Sequence, residues 1–203
     1  MITIVDYNAG NLRSVQRACA AVGAESVITG DPDAVANATR LIFPGVGAAH
    51  SAMATLRSTG LDEALRTAYR RGIPFLGLCL GTQIILQHSE EGDVPCLGLL
   101  EGQVVKFQIQ NPLLKVPHMG WNAVRVTRSH PVLDGIASGI EFYFVHSYHP
   151  AAVPDNLVYG VTDYEYEFPC VLARANLFAT QFHPEKSGRY GLKLIENFTK
   201  WNP

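Results

Sequence analysis

Apolar and polar positions follow two different periods along this chain. Short apolar runs recur at Ile2–Val5, Glu25–Thr29, Leu41–Phe43 and Ile73–Leu76, and each predicts a strand. Between them the spacing becomes helical. Leu12, Val15, Cys19 and Val22 share one face, and Asn11 stands where a helix cap belongs. Residues 48–56 predict a short helix. Leu61, Ala64, Leu65, Ala68 and Tyr69 predict another, stopped by Gly72 and Pro74. Turns fall at Asp6–Gly10 and Gly30–Asp33. The first ninety residues read β-α-β-β-α-β-α, which implies an α/β fold with a mostly parallel central sheet flanked by helices and joined by right-handed crossovers. Ligands of such sheets bind beyond the carboxyl ends of the strands, which places Asn8–Gly10, Gly45–Gly47 and Cys79 along one edge.

The second half changes texture. Glu90–Leu100 reads as a loop. Val104–Phe107, Ala123–Val126, Glu141–Val145, Leu157–Val161, Cys170–Ala173 and Leu177–Phe182 read as short strands, several joined by links too short for helices and therefore antiparallel. A last helix over 187–201 puts Leu194, Ile195, Phe198 and Trp201 on one face. No repeat, low-complexity tract or linker divides the chain, so residues 1–203 read as a single domain.

Composition narrows the function classes. The chain has 203 residues, 47% of them hydrophobic and 17% charged, with net charge -2, as expected of a folded protein. No cluster of Lys or Arg predicts nucleic-acid binding. The N-terminus begins at once with a strand pattern, and no long apolar segment follows. Neither a signal peptide nor a membrane span is expected, and the reading is cytoplasmic. Cys19, Cys79, Cys96 and Cys170 are scattered, with no spacing that suggests a metal site or disulfides.

One of those cysteines has a distinctive setting. Gly77-Leu78-Cys79-Leu80-Gly81 follows a buried strand and precedes Thr82–Gln87, which reads as the first turns of a helix. This is the pattern of a nucleophile elbow with Cys at its apex. The glycines relieve crowding and tolerate positive φ, and a helix start beneath the sulfur would favour thiolate. A free Cys is otherwise usually a small buried hydrophobe. It is the strand, glycines and helix together that argue for a nucleophile.

A nucleophilic Cys needs a base, and the base needs an orienting group. Among the seven histidines, His183 is followed two residues on by a carboxylate, Glu185, with a proline between them. On extended chain such residues share a face roughly 6.5–7 Å apart, and Pro184 keeps His183 out of the α region. Glu185 can then hold one imidazole nitrogen while the other exchanges the thiol proton. In isolation the same pair would be a surface contact at a strand end. Acyl chemistry also needs oxyanion donors: the Leu80 N–H in an elbow, and a second from the Gly45-Val46-Gly47 turn, which on its own is equally a plain strand-to-helix turn.

The elbow Gly77–Gln83 together with His183-Pro184-Glu185 resembles the class I (triad) glutamine amidotransferases. Asp6–Val15, Pro44–Gly47, Pro117–Asn122, Phe142–Tyr148 and Gln181–Ser187 extend the resemblance over essentially the whole chain. They are similar to one branch of that class, the glutaminases of histidine biosynthesis. The resemblance implies a flavodoxin-like sheet and a Cys79–His183–Glu185 triad that hydrolyses L-glutamine through a thioester, without cofactor or metal. It also implies glutamine binding by Gly47, Gln83 and the backbone around His146, Ser147 and Tyr148, and an oxyanion N–H at Val46 after a peptide of Gly45–Gly47 reorients. It implies a heterodimer with a (β/α)8-barrel cyclase that uses the ammonia to make imidazole glycerol phosphate and AICAR, docked on Asn11, Met119, Trp121, Tyr143 and Lys186. Trp121 and Tyr143 could equally be core aromatics by sequence.

Three positions depart from the family pattern. Asn8 stands where Gly is frequent, the least costly replacement at positive φ. Thr82 replaces a common Met, and Ala179 a common Gly. Competing readings are a glutaminase of another synthase, a stand-alone cysteine hydrolase, and a non-catalytic module that keeps the fold.

Overall fold

The computed structural model describes residues 1–8 and 10–203, so Ala9 in the expected Asn8–Gly10 turn lies outside the described residues. Among them the chain runs β1 (Ile2–Val5), α1 (Leu12–Ala21), β2 (Ser26–Thr29), α2 (Pro32–Ala36), β3 (Leu41–Gly45), α3 (Ala49–Thr59), α4 (Leu61–Arg70), β4 (Phe75–Cys79) and α5 (Leu80–Ile84). It continues with β5 (His88–Ser89), β6 (Val94–Pro95), β7 (Gln103–Lys106), β8 (His118–Val126), β9 (Ile140–His146), β10 (Tyr148–Ala151), β11 (Val158–Tyr164), β12 (Tyr166–Arg174), β13 (Leu177–Thr180) and α6 (Gly188–Lys200).

Nine strands form the main sheet in the order β2-β1-β3-β4-β13-β12-β11-β8-β9. From β2 to β13 the pairings are parallel. From β13 outward they are antiparallel. The sheet is thus mixed, and its parallel half carries the elbow. The parallel strands β1, β3, β4 and β13 are buried on both faces, and their side chains alternate between two cores. Val5, Leu41, Phe43 and Phe75 pack with α3 and α4, while Ile4, Ile42, Leu76 and Leu78 pack with α1 and α6. Truncating Phe43, which is fully buried, would cost about 3–5 kcal/mol.

The helices have local causes. Asn11 caps α1, its side chain accepting from the Ser14 N–H at 3.3 Å. Val15, Ala18 and Cys19 form its buried face. Helix α2 was not expected. Five residues are too few to show a period, but Asp31 caps it on the Asp33 N–H and Pro32 starts it.

Helix α5 is shorter than Thr82–Gln87 predicted. The Leu97 N–H donates to Ile84 O at 2.9 Å and the Leu99 N–H to Ile85 O at 2.8 Å, taking carbonyls that a longer helix would use itself. Glu90–Leu100, read as a loop, instead holds β6, part of a four-stranded second sheet, β10-β7-β5-β6. No helix among the described residues is long and apolar enough to cross a membrane.

Candidate active site

Strand β4 ends at Cys79, and α5 begins at Leu80. Cys79 itself carries the positive φ of the elbow, at φ 52° and ψ -107°. Neither Gly77 nor Gly81 has a positive φ, so their role is close approach, not left-handed backbone. A Cβ on Gly81 would lie 2.0 Å from Phe43 O, and one on Gly77 would lie 3.1 Å from the Ala179 Cβ. The departure at Asn8 is accommodated as expected, at φ 62°.

His183 and Glu185 come together behind the elbow. His183 Nδ1 lies 2.7 Å from Glu185 Oε1, and both side chains are buried. The geometry differs from the expected strand spacing. His183 is extended, but Pro184–Lys186 form a single 3-10 turn that brings Glu185 back to the ring. Ser187 fixes that turn, donating to His183 O at 2.6 Å and accepting from the Tyr143 N–H at 3.0 Å. Burial alone would lower the His183 pKa. The charge of Cys79 and the approach of its sulfur to the ring, then the bond and charge of Glu185, outweigh it and raise it to about 10. His183 Nε2 has no hydrogen-bond partner among the described residues, which leaves it for proton transfer. A five-residue helix sums few peptide dipoles, so the imidazole, more than the helix start, is the electrostatic partner of the sulfur.

Cys79 opens into a cavity of about 380 Å³ whose wall includes the predicted site residues Val46, Gly47, Leu80, Gln83, His146, Ser147 and Tyr148, together with Glu91, Pro117 and Val145. Gly45 is not in the wall. It lies opposite Cys79 in the β3–β4 register, beneath the turn.

Three wall or near-wall groups were not among the predicted site residues. Glu91 lines the cavity and accepts from the Ala49 N–H at the start of α3 at 2.8 Å. Gln181 is buried, with Nε2 3.9 Å from Cys79 Sγ and Oε1 accepting from Gln83 Nε2 at 3.1 Å. His118 stands 3.0 Å from His146, through Nδ1 and Nε2 respectively.

That histidine pair has one consistent proton arrangement. His146 Nδ1–H donates to Tyr148 O, so its Nε2 accepts from His118 Nδ1–H, and His118 Nε2 accepts from Asn122. Burial pushes the His118 pKa down to about 4 and that of His146 to about 3, so both rings are neutral at neutral pH. Tyr148 O also accepts from Gln83 Nε2 at 2.8 Å, so this chain fixes the cavity wall. Periodicity could not have paired residues 28 apart. The β8–β9 register, with His118 opposite His146, does.

The expected docking residues lie at the surface, Tyr143 half-buried and the others exposed. Trp121 is 54% exposed and Met119 62%, so neither is a core side chain. Trp121 packs edge-on to half-buried Tyr143, with centroids 6.2 Å apart, and Lys186 Nζ lies 5.8 Å from the Tyr143 ring. Asn11 is exposed at the start of α1, which packs against the turn carrying Lys186.

Comparison with known proteins places this geometry. Residues 3–201 match the model of the family described as Glutamine amidotransferase class-I. Imidazole glycerol phosphate synthase subunit HisH of Thiobacillus denitrificans is 48% identical, over 100% of this chain and 92% of its own. The subunit HisH 1 of Methanococcus maripaludis is 46% identical, over 98% and 99%. Among solved structures, one titled as a glutamine amidotransferase superposes with TM-score 0.76 at 18% identity, over 98% of both chains. PurLQS from Thermotoga maritima gives 0.75 at 18%, over 98% of this chain and 97% of that one. At that identity the likeness speaks for the fold alone. The chain belongs to the class-I glutamine amidotransferase family.

Proposed function

We infer that the chain is the glutaminase subunit of an imidazole glycerol phosphate synthase, releasing ammonia from L-glutamine for a cyclase subunit in histidine biosynthesis. The near-half identity to HisH subunits over the full chain supports the assignment. The observation that carries the chemistry is Cys79 at a positive-φ elbow, beside a buried His183–Glu185 pair and open to a cavity of amino-acid size.

The chemistry follows from the residues. The Cys79 sulfur attacks the side-chain amide carbon of glutamine, and the carbonyl oxygen gains the charge. The N–H groups of Leu80 and Val46 receive that oxyanion. His183 hands its proton to the departing nitrogen, so ammonia leaves and a thioester remains. Water, deprotonated by His183, then attacks the thioester; glutamate leaves and the sulfur recovers its original state. Glu185 holds the ring and offsets its charge throughout. Glu91, the acidic group of the cavity wall, is the counter-ion for the ammonium of glutamine, and Gln83, Gly47 and the backbone of His146–Tyr148 hold its amino-acid end.

Ammonia released into water at neutral pH is protonated and lost, so a closed route favours its use. Exposed apolar surface suits such a seal: Val46 lines the cavity, Met119 lies opposite the lining residue Val145 in the β8–β9 register, Trp121 follows on the same strand, and all three are exposed. The partner, a (β/α)8-barrel cyclase by the sequence resemblance, would cover Asn11, Met119, Trp121, Tyr143 and Lys186. The test is glutamine hydrolysis by the chain alone and with the cyclase and its nucleotide ligand. Strong stimulation by both together is expected. Full activity without the partner would point instead to a stand-alone hydrolase.

A further inference from the structure

Among the described residues, three buried side-chain atoms lack a hydrogen-bond partner: His183 Nε2, Glu185 Oε2 and Tyr7 Oη. The first two belong to the triad. The third has no part in the chemistry above, and an unpaired buried hydroxyl costs stability.

Tyr7 follows β1 and is 2% exposed, its ring 5.4 Å from that of Phe43. Its hydroxyl occupies the space beside Gly45, since a Cβ there would lie 2.0 Å from the Tyr7 oxygen. Burial, then the charge of Cys79, pushes the phenol pKa well up, so the group keeps its proton and is available as a donor.

The backbone of Gly45 gives that donor a use. The Leu41 N–H donates to Pro74 O at 2.8 Å, and the β3–β4 register runs unbroken from Leu41 opposite Phe75 to Gly45 opposite Cys79. In a parallel ladder alternate residues turn their own N–H and C=O to the same neighbour, so residues 41, 43 and 45 face β4. The Gly45 carbonyl is thus directed toward the start of α5. The Val46 N–H, on the far side of the same planar trans peptide, is turned away from it. An oxyanion donor at Val46 requires this peptide to rotate. Its carbonyl then leaves the β4 side and needs a new donor on the β1 side, which is where Tyr7 follows its strand.

We propose that Tyr7 is a positioning residue whose hydroxyl receives the Gly45 carbonyl when the Gly45–Val46 peptide turns the Val46 N–H toward the acyl oxygen. The proposal rests on the glutaminase reading. Tyr7 touches neither glutamine nor the sulfur, and it acts by lowering the cost of the productive peptide orientation.

The test is Tyr7→Phe in complex with the cyclase and its nucleotide ligand, alongside wild type and Cys79→Ala. It measures kcat and KM for glutamine hydrolysis together with the thermal midpoint of the subunit. The expected result is a kcat lowered about tenfold, the loss of one hydrogen bond. KM should stay within about twofold, and the midpoint should be equal or higher because an unpaired hydroxyl has been removed. An unchanged kcat beside an active wild type would overturn the proposal alone. So would a joint fall in kcat and midpoint, the mark of a packing role. A wild type no more active than Cys79→Ala would overturn the glutaminase reading and this proposal with it.

Discussion

His183 Nδ1 and Glu185 Oε1 stand 2.7 Å apart with each side chain only 4% exposed, and they are joined through a single 3-10 turn. So short a closure makes the pair rigid. It also makes stability depend on pH with a definite sign. His183 holds its proton more tightly folded, with a pKa raised to about 10, than unfolded, where about 6.5 is ordinary. Between those values the folded chain binds more protons than the unfolded one, so stability falls as pH rises.

Urea unfolding of wild type and His183→Gln across that range should show it. The wild type's stabilisation from this group is fully present below pH 6.5 and is lost on approach to about 10. A difference between the two proteins that grows with pH would refute the assignment.

Cys79 holds an L-residue at φ 52°, ψ -107°, a strained conformation for any side chain. Cys79→Ala and Cys79→Gly should both abolish glutamine hydrolysis. Between them the glycine variant should be the more stable, by about 1 kcal/mol, because only it relaxes the strain. Equal denaturant midpoints would show that the elbow stores none.

Arg40 clamps the end of α6. Its Nη1 donates to Phe198 O at 2.6 Å and to Trp201 O at 2.7 Å, and its guanidinium lies 5.2 Å from the Phe198 ring. A cation there also meets the negative end of the helix. Arg40→Ala should lower unfolding stability by about 1.5–3 kcal/mol, the worth of hydrogen bonds to a charged group. Activity per folded molecule should be unchanged.

Trp121 stands 54% exposed against Tyr143, the placement of an interface anchor. Trp121→Ala should weaken association with the cyclase by about 2 kcal/mol, roughly thirtyfold in Kd. Glutamine hydrolysis by the isolated subunit should not change. Titration calorimetry against the cyclase checks the first part and an ammonia assay the second. Undiminished affinity would move the docking face elsewhere.

Much of the site was legible because its parts are local. A glycine-flanked Cys between a strand and a helix, and a His two residues from a Glu, each show within a few positions of chain. The Asn11 cap and the positive φ of Asn8 were legible for the same reason. The backbone path between His183 and Glu185 was not. A strand spacing and a 3-10 turn both bring residues i and i+2 within reach, and Ser187, bonded to both His183 O and the Tyr143 N–H, selects the turn.

The sequence by itself determined which cysteine, histidine and glutamate are the candidates for nucleophile, base and carboxylate, the α/β order of elements, and the segments that line the candidate cavity. Those are properties of residue type and spacing. Only the tertiary structure decided where α5 stops, since Leu97 and Leu99 reach back for the carbonyls of Ile84 and Ile85. It alone joined His118 to His146 and set Tyr7 beneath Gly45. Each of these is a contact between segments distant in the chain. Its existence depends on sheet order and register, which no period within either segment records.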